Sequence, residues 1–152
     1  MATLHAKLSA SGSSRWLNCP GSVKAEEGFT DKGSAFAFEG TCAHELAELA
    51  LTNNRHCSEW VGKQLIENNQ HTVDQAMADY VQIYVDYVRQ FSGHHLYEVQ
   101  VDFSDWVPEG FGTSDALIVA DNVLHVIDLK YGKGVKVDAA NNTRSEERRV
   151  GK

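Results

Sequence analysis

Cysteine is scarce in this chain, and its spacing excludes two common architectures. Cys19, Cys42 and Cys57 are the three cysteines among 152 residues, and none of them belongs to a CxxC pair. An odd number of cysteines at wide spacing does not make a disulfide framework. The cysteines therefore indicate neither a disulfide-stapled scaffold nor a zinc site built from these residues alone.

Long apolar runs are also absent. No stretch of the sequence approaches the roughly 20 apolar residues that a membrane-spanning helix needs. The N-terminal segment MATLHAKLSASGSS lacks the continuous apolar region of a secretory signal. From these two absences we expect a soluble, cytoplasmic protein without a membrane partner.

Basic residues are fewer than acidic ones. The chain has 14 Lys and Arg against 21 Asp and Glu, which gives a formal net charge of −7. This balance argues against a dedicated, broadly basic nucleic-acid binder. It leaves open an enzyme that acts on phosphates, because clustered carboxylates hold metal cations and the cations then face the phosphate.

Hydrophobic periodicity predicts helices in the first part of the chain and strands after them. The segment AFEGTCAHELAELALTNN is rich in helix formers, and the segment from Val73 to Phe91 repeats apolar residues at spacings of three and four. We expect the stripe of the second helix to pack in the core; it consists of Met77, Tyr80, Tyr84, Tyr87, Val88 and Phe91. After Ser92-Gly93 the period changes to two and predicts strands near 95–103, 111–120 and 123–130. The order predicts an α/β or α+β domain in which helices cover an antiparallel meander.

The last two predicted strands carry charges in an apolar setting. If Asp121-Asn122 forms a two-residue hairpin turn, Asp115 lies opposite Asp128, and Lys130 lies on the same face as Asp128. The other residues of both faces are apolar, which predicts a sheet buried on both sides. Opposed carboxylates repel each other in such a place unless a positive charge lies between them. A divalent cation satisfies this need, and an internal salt bridge to Lys130 is the alternative.

Four ordered motifs carry a resemblance to a known family: LSASGSSRWLNCPGS, EGTCAHELAE, FGTSDALI and VIDLKYGKG. From about Leu8 to Asn142 the chain resembles the RecB-like branch of the PD-(D/E)xK nuclease superfamily. Within that branch it is most similar to the phage-associated domain-of-unknown-function 2800 family. The resemblance implies a restriction-endonuclease-like core, with DNA as a partner and phage recombination proteins as a further partner class.

The resemblance also implies a set of site residues. His44, Asp115 and Asp128 would be ligands of Mg²⁺ or Mn²⁺, and Asp115, Asp128 and Lys130 would be the catalytic residues. Glu98 lies on the strand where related enzymes often carry a glutamate. Without the resemblance, a lone helix histidine is usually satisfied within its own domain, Glu45 and Glu48 form a solvated helix face, and Cys19 is a small buried residue. The C-terminal cysteines that accompany an iron–sulfur cluster in some RecB-like nucleases are absent, so we expect no cluster.

The end of the chain departs from the family pattern. The family continues into a helix with a Q-x-x-x-Y pattern, whereas this chain continues as RSEERRVGK. That segment resembles a translated sequencing adapter, and a genuine charged tail is the alternative. We therefore expect residues 1–143 to be the N-terminal part of a nuclease domain whose C-terminal part is missing, and residues 144–152 to be non-native.

Three functions follow as hypotheses. The first is a metal-dependent deoxyribonuclease that hydrolyses DNA phosphodiester bonds in phage or bacterial DNA processing, here as a fragment that need not be active by itself. The second is a non-catalytic module that binds DNA or a protein on a nuclease fold. The third is an ordinary soluble domain in which Asp128 and Lys130 form a structural salt bridge.

Overall fold

The computed structural model describes residues 6–27, 34–66, 71–132 and 148–150. The described part is a mixed α/β structure. Its α-helices are α1 (Ser13–Asn18), α2 (Gly21–Glu26), α3 (Ala35–Asn53) and α4 (Gln75–Arg89), with short 3-10 helices at Ala10–Gly12 and Cys57–Trp60. Its strands are β1 (His94–Asp102), β2 (Phe111–Ala120), β3 (Val123–Leu129) and β4 (Arg148–Val150), in the sheet order β1-β2-β3-β4.

The first three strands form the predicted antiparallel meander. Asp121 and Asn122 have φ angles of 49° and 61°, and this left-handed pair is what a tight hairpin turn between twisted strands requires. Ala120 pairs with Val123, and the register continues to Ala116 opposite Ile127, so the predicted turn is confirmed. The backbone of β4 pairs with β3 in parallel, and the other residues of the tail at 144–152 lie outside the described residues.

The long helices begin at polar caps. The Ser34 side chain accepts a hydrogen bond from the Ala37 amide, and the Asp74 side chain accepts one from the Met77 amide, each satisfying a helix-end donor. The helix predicted over Val73–Phe91 therefore starts and ends two residues inside that range. In the described part of the chain, no helix has both the length and the apolar character needed to cross a bilayer.

The core lies between the two long helices and one face of the sheet. Ala116, Ile118, Ile127 and Leu129 contribute from the strands, and α3 and α4 contribute the buried residues Cys42, Ala43, Leu46, Ala47, Ala50, Leu51, Met77, Ala78, Val81, Tyr84, Val85 and Val88. The predicted stripe of α4 is correct at Met77, Tyr84 and Val88, whereas Tyr80 is 45% exposed.

The prediction of a sheet buried on both sides is wrong for the described residues. Val119 is 48% exposed and Leu124 is 58% exposed, and both alternate with residues that point into the core. The helices described here cover one face only, because α3 and α4 both pack against the side that carries Ala116 and Ile118. The described part of the chain therefore has two layers, one of helices and one of strands, rather than three.

Candidate metal centre

One carboxylate from each strand of the meander lies in a single row across the sheet. The β1–β2 register pairs Tyr97 with Ala116 and Val99 with Ser114, which sets Glu98 opposite Asp115. The β2–β3 register, continued by one residue beyond Ala116 and Ile127, sets Asp115 opposite Asp128. We call Glu98, Asp115 and Asp128 the carboxylate row. It unites residues that are distant in sequence at one level of the sheet.

The backbone is irregular at this row. Glu98 has φ 47°, a left-handed conformation that is uncommon for a residue other than glycine and is unfavourable inside a strand. Glu98 and Asp115 do not form a regular ladder pair, and the β2–β3 ladder ends at Ala116 opposite Ile127. Such strained positions persist where the surrounding structure holds them, and they cluster at functional sites.

Helix α3 brings an imidazole to the row. His44 Nδ1 lies 3.3 Å from Asp115 Oδ1 and 3.8 Å from Glu98 Oε1. The neighbours of His44 on the same helix face, Ala47 and Leu51, are buried in the core, so the packing of α3 directs His44 toward the sheet. Tertiary packing therefore joins the predicted residues His44 and Asp115 and adds Glu98 to them.

Asp115 is the most enclosed member of the row. Its side chain is 12% exposed, and while Oδ1 faces His44, Oδ2 accepts a hydrogen bond of 2.5 Å from the Leu129 amide. A carboxylate that accepts from a backbone amide and faces an imidazole has little rotational freedom. Asp115 thus fixes the position of the centre relative to both β3 and α3.

Asp128 and Lys130 form an ion pair beside this group. The Lys130 ammonium contacts Asp128 Oδ2, and both side chains are partly buried. Within the described part of the chain, the group of residues whose ligand atoms all lie within 4.8 Å of one another comprises His44, Glu98 and Asp115. Of the predicted ligands, His44 and Asp115 belong to this group, whereas Asp128 is in the neighbouring ion pair. Glu98, which was not predicted as a ligand, belongs to the group in its place.

The ionisable groups at the centre shift one another's pKa values. Burial lowers the pKa of His44, but hydrogen bonds to Asp115 and Glu98 and their negative charges outweigh it and raise this pKa to about 10. Burial, and then the negative charge of Glu98, raises the pKa of Glu45 on the same helix. Burial also raises the pKa of Glu48, followed by the charges of Glu45 and Glu98. A region in which carboxylates raise one another's pKa values is one that attracts a cation.

The donor set fits a divalent cation. Ligand atoms on one Mg²⁺ or Mn²⁺ lie about 3–4 Å apart, because each is about 2.1 Å from the ion. The distances from His44 Nδ1 to Asp115 and Glu98, 3.3 and 3.8 Å, are in this range. Carboxylate oxygens suit Mg²⁺ and Mn²⁺, and an imidazole favours a transition-metal ion such as Mn²⁺ over Mg²⁺. His44 must release its proton to bind, so the cation and the proton compete for Nδ1.

Cysteine does not contribute to the close ligand group of the candidate metal centre in the described part of the chain. Cys42 and Cys57 are buried free thiols, and burial raises the pKa of Cys57 to about 12. Cys19 was expected to be buried, but it is exposed, because it lies just after the short helix α1. None of the three belongs to the group of close ligand atoms found among the described residues.

Comparison with known proteins gives a family but no activity. No solved structure matches the chain significantly. Residues 5–145 match the model of the family described as a protein of unknown function (DUF2800). Because this match covers most of the chain, the protein belongs to the DUF2800 family.

Proposed function

We propose that this protein is a metal-dependent deoxyribonuclease, or the N-terminal part of one, built on a restriction-endonuclease-like core. The observation that carries the proposal is the convergence of His44, Glu98 and Asp115 beside an Asp128–Lys130 pair. Helix α3 and the two strands β1 and β2 each supply one of the three close ligand atoms. A histidine from a helix that packs in the core and a strand residue with a left-handed backbone support a functional site over a cluster of surface carboxylates.

The residues divide into two groups by what they contact. His44, Asp115 and Glu98 would hold Mg²⁺ or Mn²⁺, with Asp128 able to join them from the next strand. When bound there, a divalent cation lowers the pKa of a coordinated water and neutralises charge on a phosphate. The hydrogen bond from the Leu129 amide keeps Asp115 Oδ2 oriented, so that Oδ1 remains available to the centre.

Lys130 is the candidate for contact with the reacting atoms. Asp128 holds its ammonium at the edge of the carboxylate row, where it remains partly exposed. From this position Lys130 can hold the attacking water by a hydrogen bond, or stabilise the negative charge that develops on phosphate oxygens. Asp128 would then have two roles, as a cation ligand and as the residue that orients Lys130.

The substrate class comes from the resemblance of the four motifs to RecB-like nucleases. The charge of the protein is consistent with it, because a net charge of −7 requires a cation between the carboxylates and a DNA phosphate. Phage or bacterial DNA processing is the setting that the same resemblance implies. Membership of DUF2800 adds no activity, since that family is described as one of unknown function.

Cleavage of linear DNA by the full-length gene product in Mn²⁺ or Mg²⁺ tests the proposal. Wild type should degrade the DNA, EDTA should stop it, and Lys130→Ala should lose at least about 100-fold in rate, within the range for a group that transfers a proton or stabilises charge. Lys63→Ala is the control, because Lys63 is an exposed lysine in a turn outside the centre. Full activity of Lys130→Ala would remove Lys130 from the mechanism.

A non-catalytic binding module is the second candidate, and one observation favours it. His44 is paired with Asp115, and Lys130 is paired with Asp128, so ion pairs within the protein already balance part of the charge of the centre. A folded, full-length gene product that binds Mn²⁺ and DNA but cleaves nothing would support this candidate and reject the nuclease.

A further inference from the structure

A buried hydroxyl group on α4 lacks a hydrogen-bond partner among the described residues. Tyr84 of α4 is 1% exposed, and its hydroxyl oxygen is inaccessible and unpaired within that part of the chain. The Ser114 hydroxyl, one residue before Asp115, is in the same condition. A buried polar group without a partner costs about 1–3 kcal/mol, so each such group needs an explanation.

The charges that act on the Tyr84 hydroxyl identify what lies near it. Burial raises the pKa of this hydroxyl most, and the negative charges of Asp115, Glu98 and Asp128 raise it further, in that order. These are the three members of the carboxylate row. The hydroxyl is thus within electrostatic reach of all of them, although it makes a hydrogen bond to none of them.

Packing alone does not account for a tyrosine at this position. The neighbours of Tyr84 in the core are apolar, and they include Val81, Val85 and Val88 of the same helix. Phenylalanine would fill the same volume without burying an unpaired hydroxyl. The polar atom therefore needs a partner that is neither a core residue nor one of the nearby carboxylates in this structure.

We propose that Tyr84 is a positioning residue of the metal centre, and that its hydroxyl forms a hydrogen bond with a water molecule coordinated to the bound cation. This inference rests on the metal centre of the proposed function. A phenol oxygen accepts hydrogen bonds, so Tyr84 can accept one from the coordinated water. Groups that orient the ligands of a metal in this way typically change its affinity by about 10–100-fold.

Tyr84→Phe isolates the hydroxyl, because it keeps the ring and the packing. We would measure Mn²⁺ binding from the electron paramagnetic resonance signal of free Mn²⁺, together with the melting temperature of the metal-free protein. Tyr84→Phe should weaken Mn²⁺ binding about tenfold. The metal-free melting temperature should stay the same or rise, because an unpaired buried hydroxyl is lost.

Tyr87→Phe is the matched control, since Tyr87 lies on the same helix and its ring packs against Phe91. Its Mn²⁺ affinity should equal that of wild type. Unchanged Mn²⁺ affinity in Tyr84→Phe would overturn the inference and leave the metal centre in place. A lower metal-free melting temperature would also overturn it, because the hydroxyl would then have a partner within the protein. Absence of Mn²⁺ binding by wild type would reject the inference and the metal centre together.

Discussion

At Glu98 the backbone takes a conformation that its own side chain disfavours. The φ angle of 47° lies in the left-handed region, where a residue with a Cβ atom is strained by about 1–2 kcal/mol and glycine is not. In this conformation the Glu98 carboxylate lies 3.8 Å from His44 Nδ1. Residue 98 is thus a compromise between the stability of the strand and the geometry of the centre.

This compromise predicts that substitutions of Glu98 differ in their effect on stability but share their effect on metal binding. Glu98→Gly and Glu98→Ala both remove the carboxylate, but only glycine accepts the left-handed conformation. Without metal, the free energy of unfolding of Glu98→Gly should be about 1 kcal/mol higher than that of Glu98→Ala. Both variants should bind Mn²⁺ more weakly than wild type. Urea denaturation and Mn²⁺ titration measure the two effects, and equal stability of the two variants would show that the φ angle carries no strain.

The charge on His44 predicts how stability depends on pH. Its pKa is raised from an ordinary value of 6.5 to about 10 in the folded protein, because Asp115 and Glu98 stabilise the imidazolium despite burial. Below pH 6.5 both folded and unfolded states carry the proton, and the stabilisation is complete. Between pH 6.5 and about 10 the unfolded state has lost the proton and the folded state still holds it, so the stabilisation falls as the pH rises.

Denaturation of wild type and His44→Gln in EDTA at several pH values tests this dependence. The difference in free energy of unfolding between the two proteins should be largest near pH 6 and should shrink steadily toward pH 10. Glutamine is uncharged throughout the range, so the changing difference reports on the imidazolium. A difference that is the same at pH 6 and pH 10 would mean that folding leaves the pKa of His44 unchanged.

At the scale of elements, local sequence determines the hairpin and the helices. The turn residues Asp121 and Asn122 tolerate left-handed angles, so the β2–β3 register and the Asp115–Asp128 opposition follow from the sequence. Capping residues place the start of each long helix within one or two residues of the predicted position. These features depend on contacts between neighbours along the chain, and periodicity and turn chemistry report such contacts directly.

Contacts between elements could not be predicted in the same way. The β1–β2 register brings Glu98 to the centre. The sequence of the connection from Phe103 to Gly110 does not predict that register. The reach of His44 depends on how α3 packs on the sheet, and the exposure of Val119 and Leu124 depends on which face the helices cover. Tyr84 belongs to an apolar stripe in the sequence, and only its unpaired hydroxyl in the fold distinguishes it from a core residue.

At the scale of the whole molecule, charge opposes the proposed substrate. The net charge is −7, and the carboxylate row adds a local concentration of negative charge where a phosphate would bind. DNA affinity normally comes from lysine and arginine that replace counterions along the backbone. If DNA binds at this centre, a divalent cation must therefore supply the missing positive charge.

We expect DNA binding to depend on the cation even when cleavage is disabled. Fluorescence anisotropy of a labelled duplex with Lys130→Ala, at constant ionic strength, should show at least about tenfold tighter binding in Mn²⁺ than in EDTA, since one neutralised contact of this kind is worth about 1–3 kcal/mol. The control is a Lys130→Ala, Asp115→Asn double variant, which loses a ligand of the centre. Because Mn²⁺ also screens DNA by itself, any gain that remains in the control is not due to the site. Equal affinity of Lys130→Ala in Mn²⁺ and EDTA would place the DNA on another surface, and this result would favour the binding module over the nuclease.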